Sequence, residues 1–128
     1  MKALTIILIT AASLVAFAQT ERAIDDAKAN YLQALKSENE GVVESALFHS
    51  MKYKLYYPEQ NTSNLEKRIE KLIEDGKSET IRYKAFLVNE FMQNEQLMNN
   101  VERADYKEAE GFFRMLGEVL NDHLFAAN

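Results

Sequence analysis

The chain contains no cysteine, one proline, four glycines and two histidines in 128 residues. Each scarcity removes a class of chemistry. Without cysteine there is no disulfide framework, no thiolate metal site and no lipid attachment through a leading cysteine. A small domain of this kind must be held by packing alone. The glycines Gly41, Gly76, Gly111 and Gly117 stand singly, so no glycine-rich loop is present to cradle a phosphate. His49 and His123 have no second ligand at i, i+4 spacing, and the neighbouring Asp122 points about 100° away from His123 on a helix. No Gly-x-Ser-x-Gly turn exists for a serine nucleophile. Acid pairs such as Asp25-Asp26 and Glu38/Glu40 read as solvated helix ends favoured by the N-terminal dipole. These absences predict no enzyme, no metal and no cofactor.

Positive charge is also in deficit. Fifteen Lys and Arg stand against twenty Asp and Glu, a formal net charge of −5. A nucleic-acid binder needs a basic face to neutralise phosphate, and adsorption on anionic lipid needs the same. Neither partner is expected.

The one long apolar run is at the start. Lys2 supplies a positive charge, Ala3 to Val15 is broken only by Thr5, Thr10 and Ser13, and Ala16-Phe17-Ala18 places small residues at the −3 and −1 positions before Gln19. This order is that of a secretory signal peptide. The reading assigns residues 1–18 to a leader cleaved between Ala18 and Gln19, and residues 19–128 to one exported, periplasmic or secreted domain. The run falls short of the roughly 20 residues that span a bilayer, and no later segment is apolar enough to insert.

Within the remainder, one helical stripe recurs. Ala27, Tyr31, Ala34 and Leu35 return as Leu65, Ile69, Leu72 and Ile73, and again as Phe112, Leu116, Val119 and Leu120. Each set is spaced i, i+4, i+7, i+8, one face of an α-helix. Five helices are predicted. The first runs from about Glu21 to Lys36. The second runs from about Gly41 to Tyr57 and is stopped by Pro58. The third opens on the capping box Ser63-Asn64-Leu65-Glu66 and ends at Gly76, suited to a left-handed cap. The fourth runs from near Ser78 to Met98. The fifth opens at Asp105-Tyr106-Lys107-Glu108 and reaches Phe125. Gly111 and Gly117 inside it imply either close helix contact or fraying. Asn61-Thr62-Ser63 fits a glycosylation acceptor but is read as a turn and cap. No strand pattern competes.

The second and fourth helices differ from the odd-numbered ones. Val42, Val43, Ala46, Leu47, Phe48, Met51 and Leu55 cover more than half of one wheel, and Ile81, Ala85, Phe86, Leu87, Val88, Phe91, Met92, Leu97 and Met98 do the same on the other. A helix apolar on several sides is packed on several sides, so these two form the inner layer. They also align with each other. Asn39-x-x-Val42-Val43-x-x-Ala46-Leu47 matches Ser78-x-x-Ile81-Arg82-x-x-Ala85-Phe86. This pattern resembles the second helix of a HEAT-type repeat, with Arg82 at the family's arginine position and Val43 a departure from it. The resemblance covers two units, about Ile24 to Met98, with the last helix as a cap. It implies a short right-handed α-α superhelix of about five helices that binds protein and has no activity of its own.

In such a stack the second helices line the concave side. The ridge offered there by the second and fourth helices is His49, Lys52 and Tyr56 with Lys84, Phe91 and Glu95. Tyr is enriched at interface hot spots, though the same rings can simply close the end of a core. The leading expectation is a module that binds another protein or peptide on this ridge, with self-association possible through an unsealed end. The alternative is a bundle that carries a small apolar ligand beside the Met- and Phe-rich fourth helix.

Overall fold

The computed structural model describes residues 19–101 and 108–126. The leader assigned to 1–18 and the Asp105-Tyr106-Lys107 part of the fifth-helix box lie outside the described residues. The protein is all-α. Residues 19–34 form α1, followed by α2 (Glu40–Tyr56), α3 (Ser63–Asp75), α4 (Glu79–Gln93), α5 (Glu95–Asn99) and α6 (Ala109–Ala126). No described helix is long and apolar enough to cross a membrane.

The shared pattern of α2 and α4 begins with equivalent caps. The Asn39 side chain accepts from the Val42 N–H, and the Ser78 hydroxyl accepts from the Ile81 N–H, each at 3.2 Å. Both satisfy one of the donors that a helix start leaves unpaired. Beyond the cap the two helices part: Ile81 is buried, whereas Val42 faces solvent and Val43 takes the inner position. Arg82 donates to the Gly76 carbonyl at 2.8 Å and so fastens the turn of its own α3–α4 hairpin.

Three local expectations are corrected. The fourth helix breaks at Asn94, whose extended backbone and side chain (accepting from the Leu97 N–H) start α5 as a separate turn. A residue that caps a new helix cannot also continue the old one. At α3 the cap is Thr62, not Ser63, and its hydroxyl donates to Glu66 Oε2 at 2.8 Å instead of accepting a backbone N–H. The Asn61 side chain accepts from the Ser63 N–H, which gives the polar loop a turn structure of its own. Gly76 is not left-handed, with φ −57° and ψ 141°. It is glycine because a Cβ there would lie 2.7 Å from the Leu72 carbonyl oxygen and 2.9 Å from Arg82 Cγ.

Gly111 has the opposite surroundings: apart from its chain neighbours and the backbone of its own helix, no atom of the described residues lies within 4 Å of an added Cβ. Gly111→Ala should therefore raise stability by up to about 1 kcal/mol, the intrinsic helical cost of glycine. Gly76→Ala should lower it by about 1–3 kcal/mol, the usual cost of overpacking. Urea unfolding of the two variants beside the parent would show the opposite signs. A stable Gly76→Ala protein would remove close approach as the reason for that glycine.

The recurring stripe is core except at Ala27, which lines the groove between α1 and α2. Leu35, Leu65, Ile69, Leu72, Phe112, Leu116 and Leu120 are buried, with Tyr31, Ala34, Ile73 and Val119 packed at the margin. α4 contacts α2, α3, α5 and α6, and α2 contacts α4 and α6, so these two helices do form the inner layer. The last helix folds back on them. Phe112 meets Phe48 of α2 edge to face, with ring centroids 4.9 Å apart.

Candidate binding site

This placement of α6 divides the expected ridge. Lys84 of α4 is paired with Glu44 of α2 at 3.0 Å, and its ammonium sits 5.1 Å from the centre of the Phe113 ring on α6. Phe91 is 0% exposed and belongs to the core. Glu95 is exposed and has passed to α5, on the rim of a separate depression with Lys54, Phe91, Met92 and Met98. Phe91 therefore presents no surface to a partner, and Lys84 is mostly covered, its side chain 16% exposed at the edge of a separate depression with Tyr83, Phe113 and Arg114, because α5 and α6 both pack on α4. A one-dimensional stack leaves that face open, but the fold-back of the last helix covers much of it and separates Lys84 from His49, Lys52 and Tyr56.

His49, Lys52 and Tyr56 stay together, and they face α1. Tyr31 of α1 stacks on His49, with ring centroids 5.6 Å apart and planes 9° from parallel. Tyr31 also meets Tyr53 edge to face at 6.2 Å, and Tyr53 packs on Tyr57 at 5.3 Å. The spacing explains the cluster: His49, Tyr53 and Tyr56 are i, i+4 and i+7 on α2, the side toward α1, and Tyr57 is the residue that caps its C-terminus. Between α1 and this end of α2 lies a groove of about 390 Å³. Ile24, Ala27 and Ala23 form its α1 wall, and the aromatic residues with Lys52 form its α2 wall. A second depression of about 410 Å³ continues the seam toward Asn39 and Val42, the Tyr31–His49 stack standing between the two.

The polar tips in the groove are unusual. Tyr53 is 4% exposed, and its hydroxyl is buried without a hydrogen-bond partner. Its pKa is raised, first by burial and then by Asp25, Tyr57 and Tyr31, so the phenol remains a neutral donor. His49 is pushed the other way, first by burial and then by the Lys52 charge, which keeps the imidazole neutral at pH 7. Lys52 itself lies over the Phe48 ring at 5.0 Å. Tyr56 and Tyr57 are 43% and 40% exposed, large rings at the mouth of the groove. Tyr31 and Tyr53 are functional candidates that the ridge missed. Tyr53 stood in the Lys52-to-Tyr57 run, but only the α1 contact shows that it shares a groove with Tyr31.

The depressed His49 value has a consequence for stability. Its folded-state pKa lies below the ordinary value of 6.5, so the unfolded chain binds more protons in the interval beneath 6.5. Stability should fall as pH drops through that interval and show no His49 contribution above it. The groups facing the ring are Tyr31 across the groove and Lys52 on its own helix. His49→Gln should flatten the loss of stability between pH 7 and about 5. An unchanged pH profile in the variant would assign that loss to other groups.

Among the described residues, no three His, Asp or Glu side chains come together as a metal site. Fold and groove thus define an all-α protein with an aromatic cleft on one edge. No family model, no curated protein and no solved structure matches the chain.

Proposed function

We propose that the protein is an exported binding module without catalytic activity, built from two HEAT-like helical hairpins and a closing helix, and that it holds a protein or peptide in the α1–α2 groove. The observation that supports this reading is the aromatic seam: five rings from two helices converge on one groove, and two of them are exposed at its mouth. Exposed aromatic clusters mark interaction surfaces, whereas scattered exposed apolar residues do not. The leader-like start of the sequence supports export. The acidic balance makes a nucleic-acid partner unfavourable.

A photo-cross-linking residue placed at Tyr56 should trap a discrete partner species in the producing cell. The same residue at Glu70, exposed on α3, should trap none. Loss of the Tyr56 adduct in a Tyr57→Ala background would tie it to the groove. Equal trapping at both positions would sink the assignment.

A second reading has its own observation. The depression of about 480 Å³ beside Leu55, Phe91, Met92 and Met98 is large enough for a small apolar ligand. Native mass spectrometry of protein purified from its source would then show added mass, and the bare chain mass would count against this reading.

A further inference from the structure

Cleavage after Ala16-Phe17-Ala18 leaves a glutamine at the start of the mature chain. Before the cut, the backbone nitrogen of Gln19 is an amide acylated by Ala18 and is no nucleophile. After the cut it is a free α-amine. The same residue carries a carboxamide carbon, Cδ, at the distance that closes a five-membered lactam on that amine. Both reacting groups belong to one side chain and its own backbone, so a rotation replaces an encounter between molecules. Residue 19 opens α1 and is exposed, and its side chain can turn back on the amine in solvent. Its neighbours Ala18 and Thr20 have no side-chain carbonyl, which confines this chemistry to a cut at the one bond.

We infer that Gln19 becomes a pyroglutamate once the leader is removed, a modification that rests on the export reading above. The neutral α-amine attacks Cδ and the N–Cδ bond forms. The bond from Cδ to Nε2 breaks, and the side-chain nitrogen leaves as ammonia with the proton given up by the amine. Atoms and electrons balance within the residue, and no oxidant, reductant or second substrate is needed. An α-amine titrates at about 8, so a reactive neutral fraction exists at neutral pH. The product suits its place. Glu21 and Asp25 complement the positive end of the α1 dipole, whereas an ammonium at Gln19 opposes it, one turn before the Arg22 cation. The lactam carries no charge. It costs no helix hydrogen bond, because the first N–H groups of a helix have no carbonyl a turn before them. A ring is tolerated at that position for the reason that proline is. Thr20, Ala23 and Ile24, the next residues of α1, line the groove. A start without a free amine therefore shields that wall from aminopeptidases, which bind the amine.

The test is mass spectrometry of the full mature protein recovered from the periplasm or medium of the producing cell, followed by its tryptic peptide 19–22. Chain and peptide should both be lighter by one ammonia than the sequence that starts at Gln19. Gln19→Ala should start at the same position with its full mass. A chain that starts at Gln19 with full mass overturns the inference and leaves the export reading standing. A chain that keeps residues 1–18 overturns both. An ammonia loss that persists in Gln19→Ala, or that maps outside 19–22, overturns the inference by placing the loss at another amide. An aminopeptidase should then trim Gln19→Ala from its first residue and leave the parent intact. Equal trimming overturns the blocked terminus, and equal resistance overturns its protective role.

Discussion

Phe112→Ala should lower the stability of the protein by about 3–5 kcal/mol, the range for truncating a buried phenylalanine. Phe112 is 1% exposed and is the ring through which α6 meets Phe48 of α2. Its loss removes buried apolar area, an edge-to-face pair, and the contact that keeps the last helix on the α2–α4 layer. A domain of this size has only about 5–15 kcal/mol of total stability, so the variant should sit near the limit of folding. Urea unfolding followed by circular dichroism would report the loss as a lower midpoint. If α6 alone detaches, the transition should also broaden, because the slope tracks the surface exposed on unfolding. A change below about 1 kcal/mol would show that α6 is peripheral, and the face with Lys84 would then again be open to a partner.

The second large effect is expected at Lys54. Its ammonium donates to Glu66 Oε1 at 2.9 Å and to the Met92 carbonyl at 2.6 Å, joining α2 to α3 and to the last turn of α4. Glu66 also accepts from the Thr62 hydroxyl at 2.8 Å and from Gln93 Nε2 at 3.3 Å. The Lys54 and Glu66 side chains are only 26% and 18% exposed. Lys54→Met keeps most of the aliphatic volume but leaves a half-buried carboxylate without its cation and a helix-end carbonyl without its donor. The cost should be about 2 kcal/mol, below the 3–5 kcal/mol of a fully buried pair because water still reaches this one. A double-mutant cycle with Glu66→Gln should give a coupling of about 1 kcal/mol or more. Zero coupling would reduce the pair to a surface contact. The Lys77–Glu38 pair provides the contrast, since both side chains are largely in water and its loss should scarcely be measurable.

Much of the architecture was legible because helix packing leaves a periodic record. Leu35, Leu65, Ile69, Phe112 and Leu116 recur on one stripe and are all buried. The many-sided apolar character of α2 and α4 announced that they are enclosed, and α4 does contact four other helices. The caps at Asn39 and Ser78 were readable because a capping side chain acts within three residues of itself. Asn94 obeys the same local rule, but it lies inside an unbroken apolar pattern, and periodicity alone gives no reason to stop there. Gly76 shows the other limit. Its identity is set by a side chain six positions ahead and by a carbonyl of the preceding turn.

The candidate site was half legible. His49, Lys52 and Tyr56 share a face of one helix, so their nearness follows from helix geometry. Lys84 and Phe91 were joined to them by assuming how the helices stack. The chain by itself determined the helical class, most of the core and the aromatic richness at the end of α2, since periodicity is set within a turn or two; Val42 and Phe86, apolar but exposed, escaped it. Only the tertiary structure decided which face of the inner layer α6 would cover, and hence that the open aromatic surface lies toward α1. That choice depends on the fit of Phe112 and Phe113 against Phe48 and Lys84, residues brought together by folding and related by no local spacing.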